Sequence, residues 1–279
     1  MEGLLSSAFD RLSSYDPAHI HGGLKQLDTL LAKLCLGPGK EGAIPTSFSD
    51  PAIRAFLTLQ DSFQYNAASI LLQTTNHLLS QPQNPHTSLL LLFTLSTLQG
   101  LLLLHPPSRH LFSRESSMNT LLDLLELEVS LEDGGGDVSE GRLECAVVQT
   151  LVCVMVDEWD NVRLFERLGG LATITGLFRR GTTPHVVKLK ILEFLYFYLI
   201  DETSPRLRSV GAGSVDSGKS GDLWTCTGSR HGKEGGRWGG EGLGVRRTTE
   251  EKEAMLGEYL QNVDGLVRDL RELKPFGDL

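Results

Sequence analysis

The chain has 279 residues, 40% of them hydrophobic, enough to bury a sizeable core in one large domain or two small ones. Its formal net charge is -9, and no long basic stripe runs through it, which argues against nucleic acid because phosphate binding needs clustered Lys and Arg. Four cysteines, Cys35, Cys145, Cys153 and Cys226, form no CxxC pair and no Cys/His cluster. That spacing argues against a zinc site and fits reduced, mostly buried thiols in a cytosolic protein.

Helical periodicity dominates from the start. Leu4, Leu5, Ala8, Phe9 and Leu12 recur on one face. Residues 1–10 carry Glu2 and Asp10 and no basic stretch, so they do not read as a signal peptide. Asp16-Pro17 reads as an N-cap with proline at the first helical position. Ile20, Leu24, Leu27, Leu31 and Leu34 make the stripe of the helix that follows, which Gly37-Pro38-Gly39 should stop. Ser49-Asp50-Pro51 starts another, with Ile53, Phe56 and Leu57 inward, then a bend, then Ile70, Leu71, Thr74 and Leu78.

A turn over 81–85 leads to the most apolar run, Leu89 to Leu104, closed by His105-Pro106-Pro107. It is short for a bilayer and is interrupted by Thr94, Ser96, Thr97 and Gln99, so it reads as a core helix and no membrane insertion is expected. Met118, Leu121, Leu122 and Leu125 mark the next helix, and residues 132–137 an acidic glycine loop. Ala146, Val147, Thr150, Leu151 and Val154 form a buried face. Residues 161–168 form a short helix closed by Gly169-Gly170, and Leu171, Ile174, Leu177 and Phe178 line the one after it. Val187, Ile191, Leu192, Leu195 and Tyr198 follow, in a stretch whose aromatics cover more than one face and so favour an interface.

Residues 209–245 are rich in Gly, Ser, Arg and Lys and bury too little to order themselves. Thr248 and Glu251 then form a capping box that opens a last amphipathic helix, with Met255, Tyr259, Val263, Leu266, Val267 and Leu270 on one stripe. No run alternates as a strand does. The expected fold is all-α: an armadillo- or HEAT-like stack of helical hairpins over 1–202, a disordered linker or insertion over 203–247, and a C-terminal helix over 248–279 that docks on the helical domain or else binds a partner helix.

The sharpest chemical motif is Gly213 to Ser220, which fits the phosphate-binding loop G-x-x-x-x-G-K-[ST]. It lacks the strand before and the helix after that aim backbone N–H groups at phosphates, so it reads as a chance match. His19, His21, His105, His110 and His185 show no ligand spacing, and Cys226 lacks a phosphatase cradle. No enzyme activity, cofactor, metal or small-molecule substrate is expected. Leu59 to Asn66 is a dense mix of amides, carboxylate and aromatics. There Phe63 is read as core, Asp61 or Asn66 as satisfying a helix break, and Gln60, Asp61, Gln64, Tyr65 and Asn66 as the candidate partner-binding surface.

Three stretches carry a resemblance: Leu59 to Asn66, Asn161 to Glu166 with Gly169-Gly170-Leu171, and Lys190 to Leu199. Together they resemble the fungal cell-division-control family of the septation initiation network, which shares a name with an unrelated phosphatase. The resemblance covers residues 1–202 and resumes over 248–277, while residues 209–247 depart from it as an insertion or translated intron. It implies a non-catalytic scaffold for an NDR-family protein kinase, promoting septation after mitotic exit. It also implies a cytoplasmic protein found at the spindle pole body and division site. A generic helical-repeat adaptor and, behind it, a P-loop nucleotide-binding protein are the alternatives.

Overall fold

The computed structural model describes residues 1–36, 50–127, 141–203 and 246–273, with side chains for all of these but Leu36 and 269–273. Among these residues every regular element is helical. The expected helix stop at Gly37-Pro38-Gly39, the loop over 132–137, the segment 209–245 and the Gly213–Ser220 motif lie outside the described residues.

Helix α1 (Glu2–Leu12) buries Leu5, Ala8, Phe9 and Leu12 against α2 (Pro17–Leu36). Leu4 departs from the expected face and is 54% exposed. The two helices cross closely because Gly23 has no side chain: a Cβ there would stand 2.9 Å from the Ala8 carbonyl oxygen. Asp16 Oδ1 accepts from the Ala18 amide at 2.9 Å, the expected cap before Pro17. Asp50 does the same for α3 (Pro51–Gln60), accepting from Ala52 at 2.7 Å. The expected bend is a complete break, a single 3-10 turn over Phe63–Tyr65, after which α4 (Ala67–Leu79) begins.

Asn84 caps α5 (Pro85–Leu104) through Thr87 N at 2.9 Å, so this helix is four residues longer at its start than its leucine run. Its 20 residues are long and apolar enough to cross a bilayer by length and composition. In the fold it is a central rod, packed on α2, α4 and α7 (Arg142–Met155). Polar groups fix its rotation: Gln99 donates to the Ala146 carbonyl and to Thr150 Oγ1, both at 2.9 Å.

A 3-10 segment over Pro106–Ser113 follows, then α6 (Glu115–Glu126). Beyond α7 come α8 (Trp159–Arg167), α9 (Gly170–Arg179) and α10 (His185–Leu199). Buried Arg109 donates from Nε to the Leu102 carbonyl at 3.1 Å and from Nη1 to that of Val156 at 2.8 Å. Asn161 donates to the carbonyls of Arg109 and Val154 at 3.0 and 2.8 Å. These two side chains thus satisfy carbonyls at the ends of α5 and α7 and one within the 3-10 segment. Cys153 is buried and Cys145 half-buried, and burial pushes both thiols up from their ordinary value.

The single terminal helix expected from the stripe is two helices, α11 (Thr249–Gly257) and α12 (Val263–Leu273). Helical spacing runs on through Met255, Tyr259 and Val263, but the chain turns after Gly257, and α11 and α12 fold onto each other and onto α10. The capping box is formed: Thr248 Oγ1 accepts from Glu251 N at 3.4 Å, and Glu251 Oε2 from Thr248 N at 3.0 Å. The aromatics of α10 are not an open patch. Phe194 and Tyr198 are buried, and Phe197 is half-buried, lining a small space with Trp159 and Lys252.

Candidate functional site

The break between α3 and α4 assembles the residues expected at a binding surface and sorts them. Gln60, the last residue of α3, is fully buried, and its Oε1 accepts from Ala67 N at 2.8 Å. Ser62 caps the 3-10 turn, and its hydroxyl donates to the Leu59 carbonyl at 2.7 Å. Asn66 caps α4 by accepting from Ser69 N at 2.8 Å, and its amide donates back to the Gln60 carbonyl at 2.8 Å and to Ser108 Oγ at 3.2 Å. Gln60 and Asn66 therefore hold the reversal together. Tyr65 is half-buried against the core. Asp61 and Gln64 remain exposed.

Phe63, expected in the core, is 94% exposed. The 3-10 turn causes this: the chain is pinned at Ser62 and Asn66, and the intervening residues project from the reversal. A nearly bare phenylalanine ring beside two exposed polar side chains is an unusual surface for a chain with a full apolar core.

Behind this turn a groove of about 260 Å³ opens, walled by Gln60, Asp61, His105, Ser108 and Arg114. His105 is buried and bridges two elements, its Nε2 3.1 Å from Asp61 Oδ1 and its Nδ1 2.8 Å from Ser108 Oγ. His110 similarly meets Glu158 at 3.5 Å. Both carboxylates come from distant parts of the chain, which is why spacing around the histidines gave no sign of them. The carboxylate–imidazole–hydroxyl order matches a hydrolase triad in connectivity. Its burial is inverted: the Asp61 side chain is 60% exposed and Ser108 only 2%. Ser108 Oγ also receives the Asn66 N–H at 3.2 Å. The arrangement ties the α3–α4 reversal to the end of α5. Among the described residues no group of three or more His, Cys, Asp and Glu stands where it could hold a metal ion.

These roles predict a split result. Asn66→Ala removes a cap and two donated bonds, and a urea melt should show a loss of about 1–2 kcal/mol. Phe63→Ala removes an exposed ring and should leave stability within about 0.5 kcal/mol. Equal losses in the two variants would contradict the assignment.

A second cluster was not legible from local sequence. Arg163, Glu202 and Lys252 are all buried where α8, the end of α10 and α11 meet. Glu202 pairs with Arg163 Nη2, accepts from Lys252 Nζ at 2.8 Å and accepts from Arg247 N at 2.9 Å. Glu166 pairs with Arg247, lies 3.2 Å from Arg163 Nη1 and accepts from the Tyr198 hydroxyl at 2.8 Å. Lys252 also donates to the carbonyls of Tyr198 and Ile200 at 2.7 and 2.8 Å. Burial lowers the Lys252 ammonium from its ordinary value, against the raising effect of Glu202. Burial, with Glu166 beside it, raises the Tyr198 phenol far above its own. The cluster fastens the C-terminal helices onto the rest of the fold.

The stretches Asn161–Glu166 and Lys190–Leu199 converge on this second cluster and on the core beside it, and Leu59–Asn66 forms the first site. The family model for Cell division control protein 14, SIN component, matches residues 1–47 and 38–276. Cell division control protein 14 of Schizosaccharomyces pombe (strain 972 / ATCC 24843) is 29% identical over 287 residues, covering 100% of this chain and 98% of that protein. No solved structure matches the chain significantly. The chain belongs to the Cell division control protein 14 family, a component family of the septation initiation network in cell division.

Proposed function

We propose that this chain is a non-catalytic scaffold that binds a protein kinase of the septation initiation network and so promotes septation after mitotic exit. The observation that carries the proposal is the exposed Phe63, flanked by Asp61 and Gln64, on a reversal that Asn66, Ser108 and His105 hold rigid. An aromatic anchor with a polar rim on a fixed backbone suits protein recognition. Buried Ser108, held by neighbours, supports a binding role over a hydrolytic one. The armadillo-like stack, the cytoplasmic location and the placement at the spindle pole body and division site belong to the same proposal.

The kinase is expected to be of the NDR family. That expectation comes from the resemblance, since nothing in the geometry selects one kinase family over another. Affinity purification of the full chain from dividing fungal cells, wild type beside Phe63→Ala and Gln64→Ala, tests it. Recovery of an NDR-family kinase, reduced about tenfold or more in the Phe63 variant, is the expected result. A kinase of another family would keep the scaffold and correct the partner. No kinase at all would overturn the proposal.

A further inference from the structure

We infer that the cleft between α1 and α2 docks an acidic amphipathic helix of a partner protein. This stands on its own geometry, apart from Phe63 and from any kinase. The cleft measures about 470 Å³ and lies open along both helices. Its apolar part is Leu4, 54% exposed, and Leu30, half-buried. Its rim is cationic: Arg11 from α1, Lys25 and Lys33 from α2, all exposed. None of the three takes part in an ion pair among the described residues. The carboxylates of the same helices, Glu2, Asp10 and Asp28, stay out of the cleft lining. A chain of net charge -9 thus concentrates three cations, unpaired among the described residues, around one cleft whose accessible apolar side chains are Leu4 and Leu30. Burying three like charges together is unfavourable unless an opposite charge arrives with the occupant.

The spacing describes the occupant. Arg11 Nη1 lies over Gly22, 3.1 Å from where a Cβ would sit, so its charge stands beside the start of the trough. From Gly22 to Lys33 is eleven residues of helix, about 16 Å at the helical rise. A helix of about three turns spans that length, with leucine-type residues at i, i+3, i+4 and i+7 on the trough and carboxylates beside them. Gln26 donates across the cleft floor to the Leu4 carbonyl at 3.2 Å, which holds α1 and α2 in register without an occupant. An anionic membrane also offers negative charge to such a rim. A concave trough suits a rod better than a sheet of headgroups, and the net charge of -9 opposes approach to an anionic bilayer.

The test uses the full chain and a fluorescein-labelled helical peptide of about five turns with that leucine pattern and flanking glutamates. A second peptide carries Gln in place of each Glu. Anisotropy titrations at about 50 and about 300 mM NaCl compare the wild type with Arg11→Glu/Lys25→Glu/Lys33→Glu and with Phe63→Ala. The acidic peptide should bind the wild type and the Phe63 variant equally. The triple variant should lose about tenfold or more, high salt should weaken binding, and the Gln peptide should bind poorly. Arg11→Gln/Lys25→Gln/Lys33→Gln, checked for unchanged helicity by circular dichroism, should lose part of the affinity without charge reversal. Three results would overturn the inference: no binding by the wild type, binding by both triple variants as tight as that of the wild type, or charge-dependent binding of phosphatidylserine vesicles with none of the peptide. Loss of binding in Phe63→Ala would overturn its independence from the first site.

Discussion

Replacing Glu202 with Gln is expected to release α11 and α12 from the rest of the fold. The substitution keeps shape and removes one charge. In the intact cluster Arg163, Lys252 and Arg247 face Glu166 and Glu202, and Glu202 touches both fully buried cations. Without its charge, Arg163 keeps only Glu166, which it shares with Arg247, and Lys252 has no carboxylate in contact. Removing one partner of a buried ion pair costs about 3–5 kcal/mol, because the other charge stays out of water unpaired. Here the cost has an outlet. Lys252 sits on α11, which can leave and rehydrate its ammonium, so the loss is capped by the docking energy of α11 and α12. Hydrogen exchange and limited proteolysis should show opening confined to residues past 246, with α5 and α7 still protected. Global unfolding without that local step would contradict the clamp.

Two controls sharpen this result. Lys252→Met in the Glu202→Gln background removes the excess cation and keeps an unbranched apolar stem, and should recover about half of the loss or more. The second control is pH. Lys252 has a folded value lowered from 10.5, with burial the main cause. A lysine whose folded value is depressed binds fewer protons folded than unfolded between the two values. Its contribution to stability therefore rises as pH climbs from the folded value towards 10.5. Loss of Glu202 removes a raising influence, so the window widens downwards in the variant. The stability gap between variant and wild type should narrow as pH rises towards 10.5. Comparing the two proteins at each pH cancels the opposite trends of Tyr198, Cys145 and Cys153, whose raised values make folded stability fall as pH rises past their ordinary values.

The helical class was legible because burial in this chain follows the 3.6-residue period closely, and because caps mark the helix starts. Asp50, Asn66 and Thr248 each accept from the amides their positions suggest. What the period could not show was its own interruption. Met255, Tyr259 and Val263 keep helical spacing across a turn, so one stripe concealed two helices. Phe63 was misplaced for a related reason: apolar character says core, yet a 3-10 turn pinned at both ends projects the ring outward. The polar contacts that define both sites join residues far apart in the chain. Asp61 meets His105, and Glu202 meets Arg163 and Lys252. Local sequence carries no sign of such partners, and Arg163, Glu202 and Lys252 each look like ordinary surface residues. Arg163 Nε has no acceptor among the described residues, which shows how much the cluster gives up to join three elements at one point.

The paired glycines between α8 and α9 should separate space from conformation in a single experiment. Gly169 has φ +81 and nothing within 4 Å of a built Cβ, so Gly169→Ala costs only the left-handed conformation, about 1–2 kcal/mol. Gly170 has an ordinary φ, but its Cβ would stand 2.2 Å from Cε2 of Phe165. That ring is fully buried and meets Phe194 edge-on at 5.6 Å, so it has no free volume to swing into. Gly170→Ala must shift α9 or the ring, and overpacking of this kind costs up to about 3 kcal/mol. Thermal melts should place it below Gly169→Ala. Phe165→Leu opens space at the cost of its own cavity, and in combination with Gly170→Ala the two losses should fall short of their sum by about 1 kcal/mol or more. Strict additivity would mean that the alanine meets no resistance from the ring. The same coupling should be absent between Phe165→Leu and Gly169→Ala, since the first glycine is required by backbone geometry alone.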